Sequence, residues 1–434
     1  MRVHCVENLP VTSTGKPDYA ALGRHADVLA RAETGPVETR RPDTDPVTAS
    51  QVRDLFAELL GRPDARETDS FVALRGDSLS YVEMSLRLRE LLGELPRDWQ
   101  DRSAGELADH RPTDADGVRP ATRGTRVDTS VLLRALSIVL IVATHANVMT
   151  LKGGAHLMLG VAGFNLARFQ LADLPRMQRL VSIGGALRRV TVPSMIWIGL
   201  VAAATKMYDL PTVLLLNQAV GSDAWTTQWQ FWFLDSLVWG FVGVAALLGV
   251  PALDRWERRA PFAFAGAVVA GTLATRYAMV GVHAGPSERY ALPIVLWCLA
   301  LGWWAARAGS AGQRLLVSLV IVCALPGFFG EPVREALVAG GLLALLWLPA
   351  VTLPRSVTWV AGVVASASLF VYLTHWQVYP HLEDHHPYLA TAASFSVGIA
   401  VWRAYAALAT RVTALIRLPR SSRRSRGPVA PASR

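Results

Sequence analysis

The hydrophobic pattern divides the chain near Asp128. Before that point apolar residues recur at helical spacing in short stretches. "TASQVRDLFAELLG" places Val52, Leu55, Phe56, Leu59 and Leu60 on one stripe behind a capping threonine, Thr48, and predicts an amphipathic helix. A loop with Pro63 and Asp69 leads to "FVALRGDSLSYVEMSLRL", residues 71–88. There a second helix is expected from Ser78, with Leu79, Val82 and Leu86 on one stripe. "SAGELADH" predicts a short third helix ending near His110. After Asp128, apolar runs of roughly 17–22 residues recur, the length needed to cross a bilayer core. About ten spans are expected, near 129–149, 153–171, 190–207, 229–250, 262–282, 291–307, 313–329, 333–352, 357–378 and 388–410, the second of them weakly patterned. The expected fold is all-α: a small helical bundle followed by a polytopic membrane domain.

Composition sharpens this division. The chain is 52% hydrophobic overall, an average of a charged front and a greasy remainder, so one globular core is excluded. The apolar runs are too many, and begin too late, for a signal peptide. The net charge of +9 is carried mostly by arginine, and no basic-aromatic module is visible, so no nucleic-acid partner is expected. Cys5, Cys298 and Cys323 form no CxxC, which argues against a disulfide framework or zinc site. Arginines gather at the ends of the even-numbered spans: Arg176, Arg179, Arg188 and Arg189; Arg255, Arg258 and Arg259; Arg307 and Arg314; Arg355. The tail adds Arg417, Arg420, Arg423, Arg424 and Arg426, while an opposite loop reads "HLEDHH". That asymmetry predicts a multi-pass protein of the cell membrane with both termini cytoplasmic. The His and acidic residues of "HLEDHH" match no known metal-site spacing, and no metal is expected.

Ser78 admits three readings. It can cap a helix. It can mark a hydrolase of the GDSL type, but no Asp is followed three positions on by His to supply the base. It can be an attachment point, since backbone N–H groups at a helix N-terminus favour a phosphodiester anion. "DSFVALRGDSLSYVEMSLRLRELLG" resembles the carrier domain of nonribosomal peptide synthetases over residues 48–111. The resemblance implies 4'-phosphopantetheine held covalently on Ser78 and a phosphopantetheinyl transferase as partner. That family usually has two glycines before the Asp, and here the first is Arg75. "LPVTSTGKPDYAAL" resembles the last motif of adenylation domains, where Lys16 would contact an acyl-adenylate. It is only the tail of such a domain, so the activating enzyme is expected in trans or lost from the start of the chain.

In the first span, "RALSIVLIVATHANVM", Arg134 and His145 are eleven residues apart. Eleven helical steps return to within about 20° of the start, so both share one face, roughly 16 Å apart. Ionisable groups inside a span are costly and usually face a protein interior or a cavity. This spacing resembles the acyltransferase-3 family of membrane enzymes over residues 128–412. "GALRRVTVPSMIW", "FWFLDSLVW" and "SLFVYLTHWQVYP" add to the likeness. In its second span the family commonly has a Phe-Ser-Gly-Phe type stretch, where this chain has Ala162 in place of the serine. A histidine that titrates near neutral pH can deprotonate an attacking acceptor, and an arginine can bind the donor or stabilise developing charge. The alternatives are that His145 bonds between helices and Arg134 snorkels to the interface. His375, Arg188 and Trp232 are further candidates for substrate binding.

The expected organisation is an adenylation-type remnant at 1–30, a linker at 31–47, the carrier domain at 48–111, a second linker at 112–127, the membrane acyltransferase domain at 128–412 and a basic tail at 413–434. The expected activity moves an acyl or aminoacyl group from a phosphopantetheine thioester, or from acyl-CoA, to a hydroxyl or amine of a small-molecule, lipid or glycan acceptor. The enzyme assignment is conditional on His145 and Arg134 reaching one cavity: turned toward lipid or toward different cavities, they could run no proton relay and the assignment would fail. The rival is a carrier-coupled transporter without acyl-transfer chemistry.

Overall fold

The computed structural model describes residues 47–93, 95–96, 98–110, 124–221 and 224–417. Lys16 and the adenylation-type remnant lie outside the described residues, as does the tail beyond 417.

Helix α1, Ala49–Leu60, starts where the Thr48 hydroxyl accepts from the Gln51 N–H and the Gln51 side chain accepts from the Thr48 N–H. This reciprocal cap satisfies two otherwise orphan donors. The helix ends at Gly61, whose φ of 63° is the left-handed conformation that closes many helices. Helix α2 spans Ser78–Leu92, and α3, Ala104–Ala108, is capped by Ser103. Val52, Phe56, Phe71, Met84, Leu88, Ala104 and Leu107 are all fully buried, so the predicted stripe of α1 does face a small core.

Residues 124–127, expected in a linker, instead belong to strand β1, Gly124–Asp128. It pairs antiparallel with β2, Ala350–Pro354, in the register Gly124↔Pro354 to Asp128↔Ala350. The alternation in Thr-Arg-Val-Asp was hidden by the surrounding polar sequence. Between and after the strands lie α4 (Thr129–His145), α5 (Gly154–Asn165) with a π-helical turn at Leu166–Gln170, α6 (Arg176–Thr205), α7 (Trp232–Gly249), α8 (Pro251–Arg259), α9 (Pro261–Val280), α10 (Leu292–Ala306), α11 (Ala311–Ala324), α12 (Pro332–Trp347), α13 (Arg355–Thr374) and α14 (Pro387–Arg417). Each expected span overlaps one of these helices, with shifted ends, and the one expected at 333–352 runs on into β2. Among the described residues, five are long and apolar enough to cross a membrane: Arg176–Thr205, Thr227–Gly249, Pro261–Val280, Arg355–His381 and Pro387–Ala409. Others, such as the 15-residue α10, are shorter than a full crossing requires, so length alone does not support ten spans.

Helices α5 and α10 approach unusually closely. A Cβ on Gly302 would lie 1.8 Å from the Gly160 carbonyl oxygen, and one on Gly163 would lie 1.9 Å from that of Leu299. Only glycine permits such backbone proximity.

Arginines expected to mark topology also do structural work. Arg179 is buried within α6, which starts at 176 rather than near 190. It donates to Asp254 at 2.8 Å and to Glu257. Arg307 donates to Glu257 at 2.7 Å and Arg258 to Asp254 at 2.8 Å. Burying these charges is tolerable because each carboxylate is bracketed by two guanidiniums. From Thr48 onward the chain forms one compact unit, in which the bundle α1–α3 packs on the longer helices.

Candidate functional site

The loop before α2 determines what Ser78 is free to do. Asp77, not Ser78, is the N-cap: its carboxylate accepts from the Ser80 N–H at 2.9 Å and from the Ser80 hydroxyl at 2.8 Å. Ser78 is the first residue inside the helix, so the capping reading of Ser78 fails. Arg75 sits at φ 64°, a left-handed conformation costing a non-glycine residue about 1–2 kcal/mol. A glycine would hold this conformation without that cost. Gly76 cannot be replaced cheaply, because a Cβ would lie 2.2 Å from the Phe71 ring.

This loop is pressed against the membrane helices. Arg189 of α6 forms an ion pair with the Asp77 carboxylate and donates to the Arg75 carbonyl at 3.1 Å. Gln170 of the π turn donates to the Gly76 carbonyl at 3.3 Å. Phe169 meets Phe71 and Tyr81 at ring separations of 5.9 and 4.8 Å. Leu86 fits over Gly362 of α13, where an added Cβ would lie 2.8 Å from its side chain. Arg168 donates to Asp128 and lies over the Tyr81 ring, while the Tyr81 hydroxyl donates to Asp128 at 3.3 Å. Burial raises the Asp77 pKa, but Arg189 and the bonds from Ser80 outweigh it, and the carboxyl is held below its usual range. Of the arginine pair singled out in the sequence, Arg188 is exposed and Arg189 faces the carrier.

Beneath the seat lies a cavity lined by Asp77, Arg134, Asn165, Gln170, Ser368 and Tyr372 among apolar side chains that include Ala162. Arg134 donates to the Ser368 hydroxyl at 2.9 Å. Among the described residues, the Oδ1 of Asn165, a residue only 4% exposed, has no hydrogen-bond partner. Such an atom costs about 1–3 kcal/mol and suits an incoming amide N–H. The cavity is narrow, about 60 Å³, so its apolar walls must part to admit more than a few atoms.

His145 closes α4 and lines a different cavity, of about 460 Å³. The expectation of one shared cavity is therefore corrected. The two side chains are on the same helix face, but three turns of separation place them in different cavities, and no direct proton relay links them. Tyr372 forms part of both walls. His145 is instead partnered by His375. The Nδ1 of His375 lies 2.7 Å from the Tyr372 carbonyl oxygen, which can only accept, so that nitrogen carries the hydrogen. With the rings neutral, the His375 Nε2 is an acceptor, and the His145 Nδ1, 3.0 Å away, donates to it. His145 Nε2 is left with its lone pair. The rings stack at 5.2 Å, with Trp376 4.5 Å from His145.

The larger cavity is walled by Trp225, Trp229, Trp232 and Tyr290. Trp232 lies 4.9 Å from Tyr290 and 5.0 Å from His156. Sequence reasoning missed His156, Asn165, Gln170, Ser368 and Tyr372; their only signal was polarity within apolar spans. It also missed Asp77 as the cap, although Asp followed three residues later by Ser was in view.

No curated protein and no solved structure matches the chain. Residues 50–110 match the family described as the phosphopantetheine attachment site. A domain of this kind is served by a phosphopantetheinyl transferase and by partner enzymes. The bundle α1–α3 is thus a carrier domain for covalently attached 4'-phosphopantetheine.

Proposed function

We propose that the chain is a membrane-bound acyltransferase of the acyltransferase-3 type, fed by its own carrier domain. Ser78 is the attachment point, at the first position of a 15-residue helix whose free N–H groups favour a phosphodiester. The neighbouring residues fit the group chemically. Arg134, Gln170 and Ser368 offer polar contacts beneath the seat, and Asn165 Oδ1 accepts an amide hydrogen. When bound, the group supplies a thiol that holds an acyl chain as a thioester, open to attack by a hydroxyl or amine. His145 Nε2 takes the acceptor's proton as the acceptor attacks, and would give it to the departing sulfur as the carbon–sulfur bond breaks. His375, fixed by the Tyr372 carbonyl, orients the His145 ring and accepts from its Nδ1–H, which steadies the imidazolium that forms. Arg134 positions the donor end and takes no part in proton transfer. Acyl-CoA remains the alternative donor. An adenylation enzyme loads the carrier, and with the carrier on the cytosolic face both loading and arm attachment occur where ATP is available.

The observation carrying this reading is the His145–His375–Tyr372 chain, which leaves one imidazole nitrogen with its lone pair beside a large cavity. The test is transfer of a radiolabelled acyl group from the loaded carrier to membrane acceptors. His145→Ala should slow transfer by about 10²–10⁴; transfer at the unmodified rate refutes the reading. The two-cavity arrangement favours one rival, a carrier-coupled transporter without chemistry. Continued product export by His145→Ala would support that rival.

A further inference from the structure

Another cavity, of about 290 Å³, opens on the carrier side, and neither Arg134 nor His145 lines it. Arg89 of α2, Arg126 of β1 and Arg314 of α11 converge on it. Among the described residues none of these three makes an ion pair. Arg314 makes only a 3.4 Å contact to the Ala308 carbonyl and lies 5.9 Å from the centre of the Trp347 ring. Burial pulls the pKa of Arg89 down, with Tyr81 and Asp128 acting the other way. It has lost water without gaining a counter-ion of its own, since Asp128 is held by Arg168. Thr129, 4% exposed, lines the same cavity, and its hydroxyl has no hydrogen-bond partner among the described residues. The Asp128 carboxylate also lines the cavity beside its partner Arg168, and three further guanidiniums outside any ion pair among the described residues, with an orphan hydroxyl, outnumber it and suit a phosphate.

The surroundings identify the molecule that carries the phosphate. Phe164, Leu345, Leu346 and Leu348 form the apolar wall. Leu315, Leu319, Trp347 and Leu348 are exposed on α11 and at the end of α12, next to Arg314, where hydrocarbon chains would lie. We propose that this cavity binds the headgroup phosphate of one anionic glycerophospholipid, whose chains run along α11 and α12. Arg89 belongs to the carrier, and Arg126 and Arg314 to the strand and helix beside it. The lipid therefore bridges the two and favours the seated carrier. This site is independent of the acyl-transfer reading.

The test is native mass spectrometry of the full chain, stripped of lipid in detergent and titrated with phosphatidylglycerol, phosphatidylcholine or coenzyme A. One phosphatidylglycerol per chain should be retained about tenfold more tightly than phosphatidylcholine. Arg126→Gln and Arg314→Gln should each weaken it about tenfold. Exposed Arg126 provides a variant that leaves the fold intact if a triple replacement with Arg89→Gln does not. Equal retention of both lipids, or undiminished binding by Arg126→Gln and Arg314→Gln, overturns the proposal in favour of unspecific annular lipid. Displacement of the lipid by coenzyme A overturns it in favour of a nucleotide.

Discussion

Replacing Arg189 by Met should unseat the carrier. The Asp77 side chain is 4% exposed in the pair, and that of Arg189 is 31% exposed. Removing one partner of a fully buried pair costs about 3–5 kcal/mol. Here the arginine is partly solvated and Asp77 keeps the Ser80 N–H and hydroxyl, so the loss is about 2 kcal/mol, or roughly 30-fold in the seating equilibrium. The assay is disulfide formation between Leu86→Cys and Gly362→Cys, on a background with Cys5 and Cys323 replaced and buried Cys298 kept. Arg189→Met should cross-link more slowly, by up to about 30-fold where the unseated state predominates. Adding Asp77→Asn should recover part of the loss, because asparagine still caps α2 and no buried charge is left alone. The pH dependence has a definite sign. The Asp77 carboxyl is held below its usual value of 3.8 when seated, so its contribution is fully present above that value and is lost as pH falls through the seated pKa. Cross-linking by Arg189→Met at the unmodified rate, or a double variant showing strict additivity, would refute the role given to this pair.

Ser78→Ala should abolish the mass increase seen after incubation with a phosphopantetheinyl transferase and coenzyme A; a modified Ser78→Ala protein would move the attachment elsewhere. Gly302→Ala should force α5 and α10 apart at a cost of about 2–3 kcal/mol, read as a lower Tm in detergent, and an unchanged Tm would contradict the contact. Arg179→Met should cost about 3 kcal/mol, because Glu257 and Asp254 keep one guanidinium each in a buried setting. Unchanged thermal stability would show that the network contributes little.

What was legible in the sequence was what is local. Thr48 with Gln51 announces a capped helix, the period of Val52, Leu55 and Phe56 gives its buried face, and eleven residues place Arg134 and His145 on one side of α4. The less legible features depend on chain segments far apart. Nothing near Arg188 and Arg189 says which of them meets Asp77, 112 residues away. Nothing near His145 announces His375, 230 residues on, or the carbonyl that fixes its tautomer. Arg179 resembled a topology marker because its acidic partners, Asp254 and Glu257, are contributed by a later amphipathic helix. Same-face geometry also said nothing about the partition between cavities, which is set by Tyr372 and the helices packed around it.

The residues just ahead of Ser78 are covered by α6 and the π turn: Asp77 is 3% exposed, and Gln170 holds the Gly76 carbonyl. Any enzyme that must grip this loop to charge the serine cannot do so while it lies there. Fitting the arm to the serine therefore requires a departure and a homecoming, and a loop that never lifts away stays uncharged. A perch held by one ion pair, two carbonyl contacts, the Tyr81–Asp128 bond, Arg168 over the Tyr81 ring, Leu86 over Gly362 and a few aromatic edges is made of small separable parts, so it can be left and found again.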